Sequence, residues 1–262
     1  MMKGCPFFGF LGIGIRGETT MDGFIDIHSH ILPELDDGAR NLDESREMLH
    51  TAYKEGIRVI IATPHFHESR FRSNRRARIE ESVFMLREAI RETMPDMEIY
   101  SGCEIRYSHE TIRLLDEMEL ATLAGTRYVL TEFSESETSA DIFAGLQELL
   151  FAGYIPILAH VERYGSLFEK STSVRGLIEM GVYIQVDAAS ITGEMGRTEK
   201  RIVKKLLKNG EIHIIATDAH RSEARKPHLR ECARILEKKY GDDTVRQLLI
   251  ENPGKILKNE YI

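Results

Sequence analysis

Nine histidine and acidic residues stand out, most of them at the ends of short apolar segments: His28, His30, Asp37, His65, Glu104, Glu132, His160, Asp218 and His220. The segments read FIDIHSH, VIIATPH, EIYSGCE, YVLTEF, IPILAH and IIATDAH. Imidazole and carboxylate together suit borderline divalent ions such as zinc, manganese or iron. Nine donors exceed what one ion accepts, so the pattern points to a cluster of two or three metals. Two metals about 3.5–4 Å apart form the usual clamp for phosphoester hydrolysis.

The spacing sharpens this reading. His28 and His30 stand two apart at a strand end, so both imidazoles point one way. Asp218-Ala219-His220 repeats that spacing after the last apolar run, and in a closed barrel the last strand lies beside the first. Asp37 belongs to LPELDDGA, where Asp36 and Asp37 are also ordinary turn formers. Glu104 and Glu132 each terminate an apolar run. His160, in LAHVERY, would be a costly polar group to bury without a partner. His67 competes with His65 in ATPHFH, whereas His50, His109, His213 and His228 read as ordinary polar residues. Arg163 and Arg225 follow the ligand candidates by three and five residues, and a guanidinium fork there can hold a phosphoryl oxygen pair. Arg221 is a neighbouring competitor. The run Arg70, Arg72, Arg75, Arg76 and Arg78 reads as a solvated face paired with Glu80 and Glu81, with attraction of an acidic substrate as the alternative.

Strands must aim these groups at one place. Seven runs, 24–28, 57–62, 98–102, 127–131, 155–159, 182–186 and 212–216, are nearly continuous in apolar residues, as in parallel strands buried on both faces. Helical patterns alternate with them. One opens at Asn41-Leu42-Asp43-Glu44 and ends by Gly56, another opens at Ser139 or Asp141 and ends by Gly153, and 173–181 and 198–210 also end in glycine. Residues 226–250 read as two further helices with Tyr240-Gly241-Asp242-Asp243 between them. The alternation predicts a single-domain, distorted (β/α)7 barrel with the metal site at the carboxyl ends of its strands.

Composition agrees. The 262 residues suit one such domain, spanning 21–262, with 42% hydrophobic and 29% charged residues. The net charge of −7 ignores bound metal; three divalent ions would add roughly +6. No basic stripe suggests nucleic acid. Residues 1–20 read as a disordered leader, with a weak surface anchor as the alternative, because the apolar stretch CPFFGFLGIGI is too short to span a bilayer. Cys5, Cys103 and Cys232 are odd in number and scattered, which suits the cytoplasm rather than a disulfide scaffold. The residues six positions after them are Leu11, His109 and Lys238, so the cysteine-to-arginine loop of thiol phosphatases is absent. There is also no GxxxxGK[ST] or GxSxG motif.

The blocks IDIHSHILPELDDGARNLDESREML, IIATPH, GCEI, LTEFS, LAHVERY and ATDAH, in that order over residues 21–260, resemble the polymerase-and-histidinol-phosphatase (PHP) superfamily. The match is closer to its bacterial protein-tyrosine phosphatase branch, the capsule and exopolysaccharide regulators of the CpsB/YwqE type. The resemblance implies a manganese-dependent phosphatase acting on phosphotyrosine of a bacterial tyrosine kinase, with no nucleic-acid partner and no stable membrane insertion. It implies that His28, His30, Glu104 and Asp218 hold one metal. Glu104 would bridge to a second held with Glu132 and His160, and Asp37, His65 and His220 would hold a third. Arg163 and Arg225 match the branch's phosphate-contacting arginines. The chain departs from the branch in reading His65-Phe66-His67 for a doubled histidine, and in carrying Gln185-Val186-Asp187 where an Asn is common. A histidinol-phosphatase-like enzyme of the same superfamily and a TatD- or amidohydrolase-type hydrolase are the competing enzyme readings. A binding protein that has lost catalysis is the third. The sequence names no general acid and no oligomeric state.

Overall fold

The computed structural model describes residues 23–169 and 173–262; the expected leader, Cys5 and the Met21 start lie outside them. Short parallel strands alternate with helices: β1 (Phe24–Ser29), α1 (Leu42–Lys54), β2 (Ile57–Ala62), β3 (His65–Phe66), α2 (Arg76–Ile90), β4 (Glu98–Ser101), β5 (Glu104–Arg106), α3 (Thr111–Asp116), β6 (Tyr128–Glu132) and α4 (Ser139–Phe151). Then follow β7 (Ile155–Leu158), α5 (Ser173–Met180), β8 (Tyr183–Asp187), α6 (Ala188–Thr192), α7 (Arg197–Asn209), β9 (Ile214–Ala216), α8 (Arg230–Tyr240), α9 (Asp242–Arg246), a π-turn over Gln247–Glu251 and α10 (Asn252–Leu257).

The strands pair in two ladders, β1-β2-β4 and β3-β5-β6-β7-β8-β9, all parallel. Together they make a curled parallel sheet clothed by helices. The expected strands at 57–62 and 98–102 are β2 and β4; the short strands β3 and β5 follow them outside the expected runs and belong to the second ladder. Pro64 cannot donate to a ladder, and it interrupts the strand between Ala62 and His65. Gly102 and Cys103 separate β4 from β5; the Gly102 N–H donates to Ala62 O at 2.9 Å, and a Cβ there would stand 2.8 Å from the Ile61 side chain and 2.9 Å from that of Leu123. The first and last strands lie side by side. Ser29 bridges Ala219, Asp218 N–H donates to His28 O at 2.9 Å, and Asp26 accepts from Thr217 N–H and Oγ1–H.

Consecutive strand residues enter different apolar clusters. Ile61, Leu130, Ile157 and Ile214 fill the inside of the curl, whereas their neighbours Ile60, Val129, Leu158 and Ile215 face the helices. Burial on both faces is what the unbroken apolar runs predict. The carboxyl-terminal segment covers the end of the sheet where the strands begin: Tyr128 Oη donates to Glu260 O, and Ile256 and Leu257 pack into the inner cluster. The opposite end, where the strands finish, remains for the polar groups. Helix starts follow local chemistry, as at α1, where Asn41 accepts from Glu44 N–H and Glu44 reaches back to Arg40 N–H. Among the described residues no helix is long and apolar enough to cross a membrane.

Candidate metal centre

All nine candidate ligands sit at one end of the sheet. His28 lies in β1 with His30 just beyond it, His65 begins β3, Glu104 begins β5, Glu132 ends β6, and His160 follows β7. Asp218 and His220 follow β9, and Asp37 lies in the turn leading to α1. That turn packs hard against its neighbour: a Cβ on Gly38 would fall 2.1 Å from His30 O, so only glycine fits. His160, Asp218 and Arg225 adopt left-handed backbone conformations, with φ of 35°, 51° and 52°. Such conformations are costly for residues with a side chain and gather at functional sites.

The tightest group is His28, His30, Glu104 and Asp218, all buried. His28 Nε2 lies 3.2 Å from Glu104 Oε2 and 3.3 Å from Asp218 Oδ1, and His30 Nε2 lies 3.3 and 3.4 Å from the same two oxygens. The two Nε2 atoms are 3.3 Å apart. Five of the six edges of this four-atom cage are therefore nearly equal. Donors about 2.1 Å from a central ion in a tetrahedral arrangement stand about 3.4 Å apart, so the cage has the dimensions of a coordination shell.

Hydrogen bonding shows which nitrogens are free to ligate. His30 Nδ1 stands 2.7 Å from the buried Asp36 carboxylate, His28 Nδ1 stands 3.1 Å from Gln185 Oε1, and His220 Nδ1 stands 3.0 Å from Asp218 O. Oxygens accept in all three, so each Nδ1 carries a proton and each Nε2 points inward, where it can ligate once it is free of its own proton. His220 Nε2 and Glu104 Oε2 are buried without a hydrogen-bond partner. His65 Nδ1 is 2.8 Å from that Glu104 oxygen, yet neither makes a hydrogen bond in geometry. Two acceptor lone pairs aimed past each other suit a shared cation.

The outer donors form two further groups. His30, Asp37, His65 and His220 converge, with Asp37 Oδ1 3.4 Å from His65 Nε2 and 3.7 Å from His220 Nε2. His65, Glu104 and Glu132 form the other. His160 meets this group through Glu104 Oε1, 2.8 Å from its Nε2, rather than as one of the converging three. Thus His65 faces two groups, a role the grouping by motif did not assign it. His67 is in neither; its Nδ1 accepts from Ser69 N–H. Arg221 turns away to Glu44 at 3.5 Å. The stray histidine His213 accepts from Ile184 N–H beside β8, so its role is local.

The charges are interlocked. Burial works against a charged His28, but Glu104 and Asp218 outweigh it and hold its pKa up at about 9. Despite burial, His28 holds the Glu104 and Asp218 carboxyls well below the usual range, with His65 assisting at Glu104. Burial, then the nearby Glu104 charge, pushes Glu132 up. Burial, with His30 beside it, drives His220 down to about 2. Without metal, a proton on His28 balances the Glu104 and Asp218 charges; a divalent cation would take its place among the same imidazole and carboxylate donors.

Both arginines reach this centre. Arg163 Nη2 donates to Asp218 Oδ2 and to Asp187 Oδ2, each at 2.5 Å, and Arg225 Nη2 donates to the same Asp218 oxygen. A small hollow opens beside them, lined in part by Asp187, Met195 and Lys226. Four participants escaped the sequence reading. Asp36 anchors His30, Gln185 anchors His28, Asp187 pairs with Arg163, and the Tyr164 hydroxyl lies 3.4 Å from His160 Nδ1. Gln185 could have been found: a neutral polar side chain amid the apolar run YIQV needs a buried partner.

Residues 24–258 match the family model described as capsular polysaccharide synthesis, CpsB/CapC. The chain is 34% identical over 243 residues to the tyrosine-protein phosphatase CpsB of Streptococcus pneumoniae, covering 91% of this chain and all of that one. It is 35% identical over 239 residues to the tyrosine-protein phosphatase YwqE of Bacillus subtilis, covering 91% and 93%. Among solved structures, one from a study of YwqE and CpsB as metal-dependent tyrosine phosphatases superposes with a TM-score of 0.84 at 33% identity, over 91% of this chain and 96% of that one. The phosphotriesterase homology protein of Escherichia coli, at 13% identity and a TM-score of 0.63 over 90% and 99%, shares the fold alone.

Proposed function

The chain belongs to the CpsB/CapC family of capsular polysaccharide synthesis proteins, and from that premise we propose that it is a metal-dependent protein-tyrosine phosphatase. Its substrate is phosphotyrosine on a bacterial tyrosine kinase that governs capsular or exopolysaccharide production, and it works in the cytoplasm. The observation that carries this reading is the buried four-atom cage with two arginines on its Asp218 edge. We assign His28, His30, Glu104 and Asp218 to one ion, Glu104, Glu132 and His160 to a second, and Asp37, His65 and His220 to a third, His65 also serving the second group. Manganese is the assigned metal; the mixed imidazole and carboxylate donors suit it, as they do iron. The domain is 21–262. Its strands are read as seven staves, β2 with β3 and β4 with β5 each counting as one, of a distorted (β/α)7 barrel.

Held by these residues, divalent ions would supply Lewis-acid polarisation of the phosphoryl group and a nucleophile at neutral pH. The chain's own part is positioning and charge. Arg163 and Arg225 present N–H groups where equatorial phosphoryl oxygens gather charge, and they are held there before substrate arrives. Asp36 and Gln185 keep the protons of His30 and His28 on the outer nitrogens. Phenolate is a good leaving group, so the reaction needs less from a general acid than an alkyl ester would.

The test is hydrolysis of a phosphotyrosine peptide by metal-stripped protein with and without Mn²⁺, beside His160→Ala and with histidinol phosphate as the rival substrate. Manganese-dependent release from the peptide, lost in the variant, is the expected result. Release from histidinol phosphate alone would overturn the reading.

A further inference from the structure

One fully buried side chain touches both halves of the site. The backbone N–H of His160 can only donate, so the Gln185 atom 3.0 Å from it is the amide oxygen. The same oxygen lies 3.1 Å from His28 Nδ1, which must then carry a proton. The amide nitrogen therefore faces Asp187, donating to its Oδ1 at 3.0 Å. Asp187 Oδ2 in turn accepts from Arg163 Nη2, and that nitrogen also donates to Asp218 Oδ2. Asp218 Oδ1 returns to within 3.3 Å of His28 Nε2. The chain of contacts is a closed ring: His28, Gln185, Asp187, Arg163, Asp218.

We infer that Gln185 is a positioning residue that couples the metal cage to the phosphate-gripping arginine, its oxygen serving the metal side and its nitrogen the arginine side. The inference rests on the phosphatase reading for the role given to Arg163. On the metal side, Oε1 selects the His28 tautomer that turns Nε2 inward, and pins the left-handed backbone of His160. On the arginine side, Nε2 orients Asp187, whose other oxygen fixes the guanidinium. No other side chain in the described residues contacts His28, His160 and Asp187 together through hydrogen bonds.

The two ends of the amide can be separated. Gln185→Leu removes both. Gln185→Glu keeps an oxygen for His28 and His160 but sets a second carboxylate against Asp187. Mn²⁺ affinity and inorganic phosphate affinity, the latter at saturating Mn²⁺, are read by calorimetry on folded protein matched by circular dichroism. Gln185→Leu is expected to lose about 10–100-fold in Mn²⁺ affinity, the usual range for a lost partner of a metal-bound histidine. Gln185→Glu is expected to keep Mn²⁺ affinity within about threefold, and both variants are expected to weaken phosphate at least fivefold. Should Gln185→Leu fail to fold, Gln185→Glu alone carries the separation. Equal losses of metal affinity in the two variants, wild-type metal affinity in Gln185→Leu, or unchanged phosphate affinity in Gln185→Glu would overturn the assignment. Turnover of a phosphotyrosine peptide by the wild type, measured alongside, tests the phosphatase reading separately, since neither binding measurement depends on it.

Discussion

Asp36 and Asp37 are adjacent in sequence, yet their substitution should affect the stability of the metal-stripped protein very differently. The Asp36 carboxylate is buried among three donors: Oδ2 accepts from His30 Nδ1–H at 2.7 Å and His65 N–H at 2.8 Å, and Oδ1 accepts from Gly38 N–H at 2.8 Å. An asparagine has one oxygen for these donors and an amide nitrogen that needs acceptors, so either orientation sets an N–H against an N–H. The loss of a charge-assisted bond and an unmet buried donor together cost about 2–4 kcal/mol. His30 also loses the partner that keeps its proton on Nδ1, so metal affinity should fall about 10–100-fold, or roughly 1.4–2.8 kcal/mol. Asp37, half-exposed, has its nearest imidazole nitrogen 3.4 Å away on His65. Asp37→Asn should leave the stability of the metal-stripped protein within about 0.5 kcal/mol, as for other exposed positions. Urea denaturation of both metal-stripped variants, followed by Mn²⁺ titration, measures the two quantities. Equal stability in the two, with unaltered Mn²⁺ affinity in Asp36→Asn, would refute the reasoning.

Other expectations follow from the same geometry. In metal-stripped protein, His28 titrates near 9 against about 6.5 when unfolded, so its contribution is fully present below pH 6.5 and is lost as pH rises toward 9. Denaturation at pH 6 and pH 9.5 should differ by about 3 kcal/mol in that direction from this group. Metal must displace this proton, so Mn²⁺ affinity should rise over the same interval, with proton release visible in buffers of different ionisation enthalpy. Arg163→Lys, which cannot reproduce a planar fork, should lower kcat/KM on a phosphotyrosine peptide on the order of 10²-fold while Mn²⁺ still binds. Chelation of protein held at 100 times its metal Kd should cost about 2.7 kcal/mol of stability, read as a lower urea midpoint.

The strand-end histidines were legible because apolar runs announce strands, and a polar residue at the end of such a run has few other uses. The pairs His28/His30 and Asp218/His220 also carry their own geometry, since alternate strand residues share a face. Asp36 was not legible. Two aspartates in one turn have the same chemistry, and only the path of the backbone around Gly38, pressed onto His30 O, decides which one is buried. The short strands β3 and β5 escaped because two or three residues after Pro64 and Gly102-Cys103 are too few to show an apolar run of their own. His65 facing two groups is a matter of side-chain direction after Pro64, which spacing alone does not encode.

The left-handed residues explain why the site needs the rest of the fold around it. His160, Asp218 and Arg225 each hold a conformation that costs about 1–3 kcal/mol for a residue with a Cβ. Glycine would remove the strain at each position and remove the ligand or the guanidinium with it. The strain persists because neighbours fix the backbone: His160 N–H donates to Gln185, Asp218 N–H donates to His28 O, and Arg225 O accepts from His220 N–H. Two of these three anchors, Gln185 and His28, also set the metal cage. The third joins a candidate ligand to the arginine. Backbone strain and site chemistry therefore share the same hydrogen bonds. A substitution that loosens an anchor should relax the strained turn and disperse the ligands together; at the His160 turn that anchor is Gln185, which also holds His28.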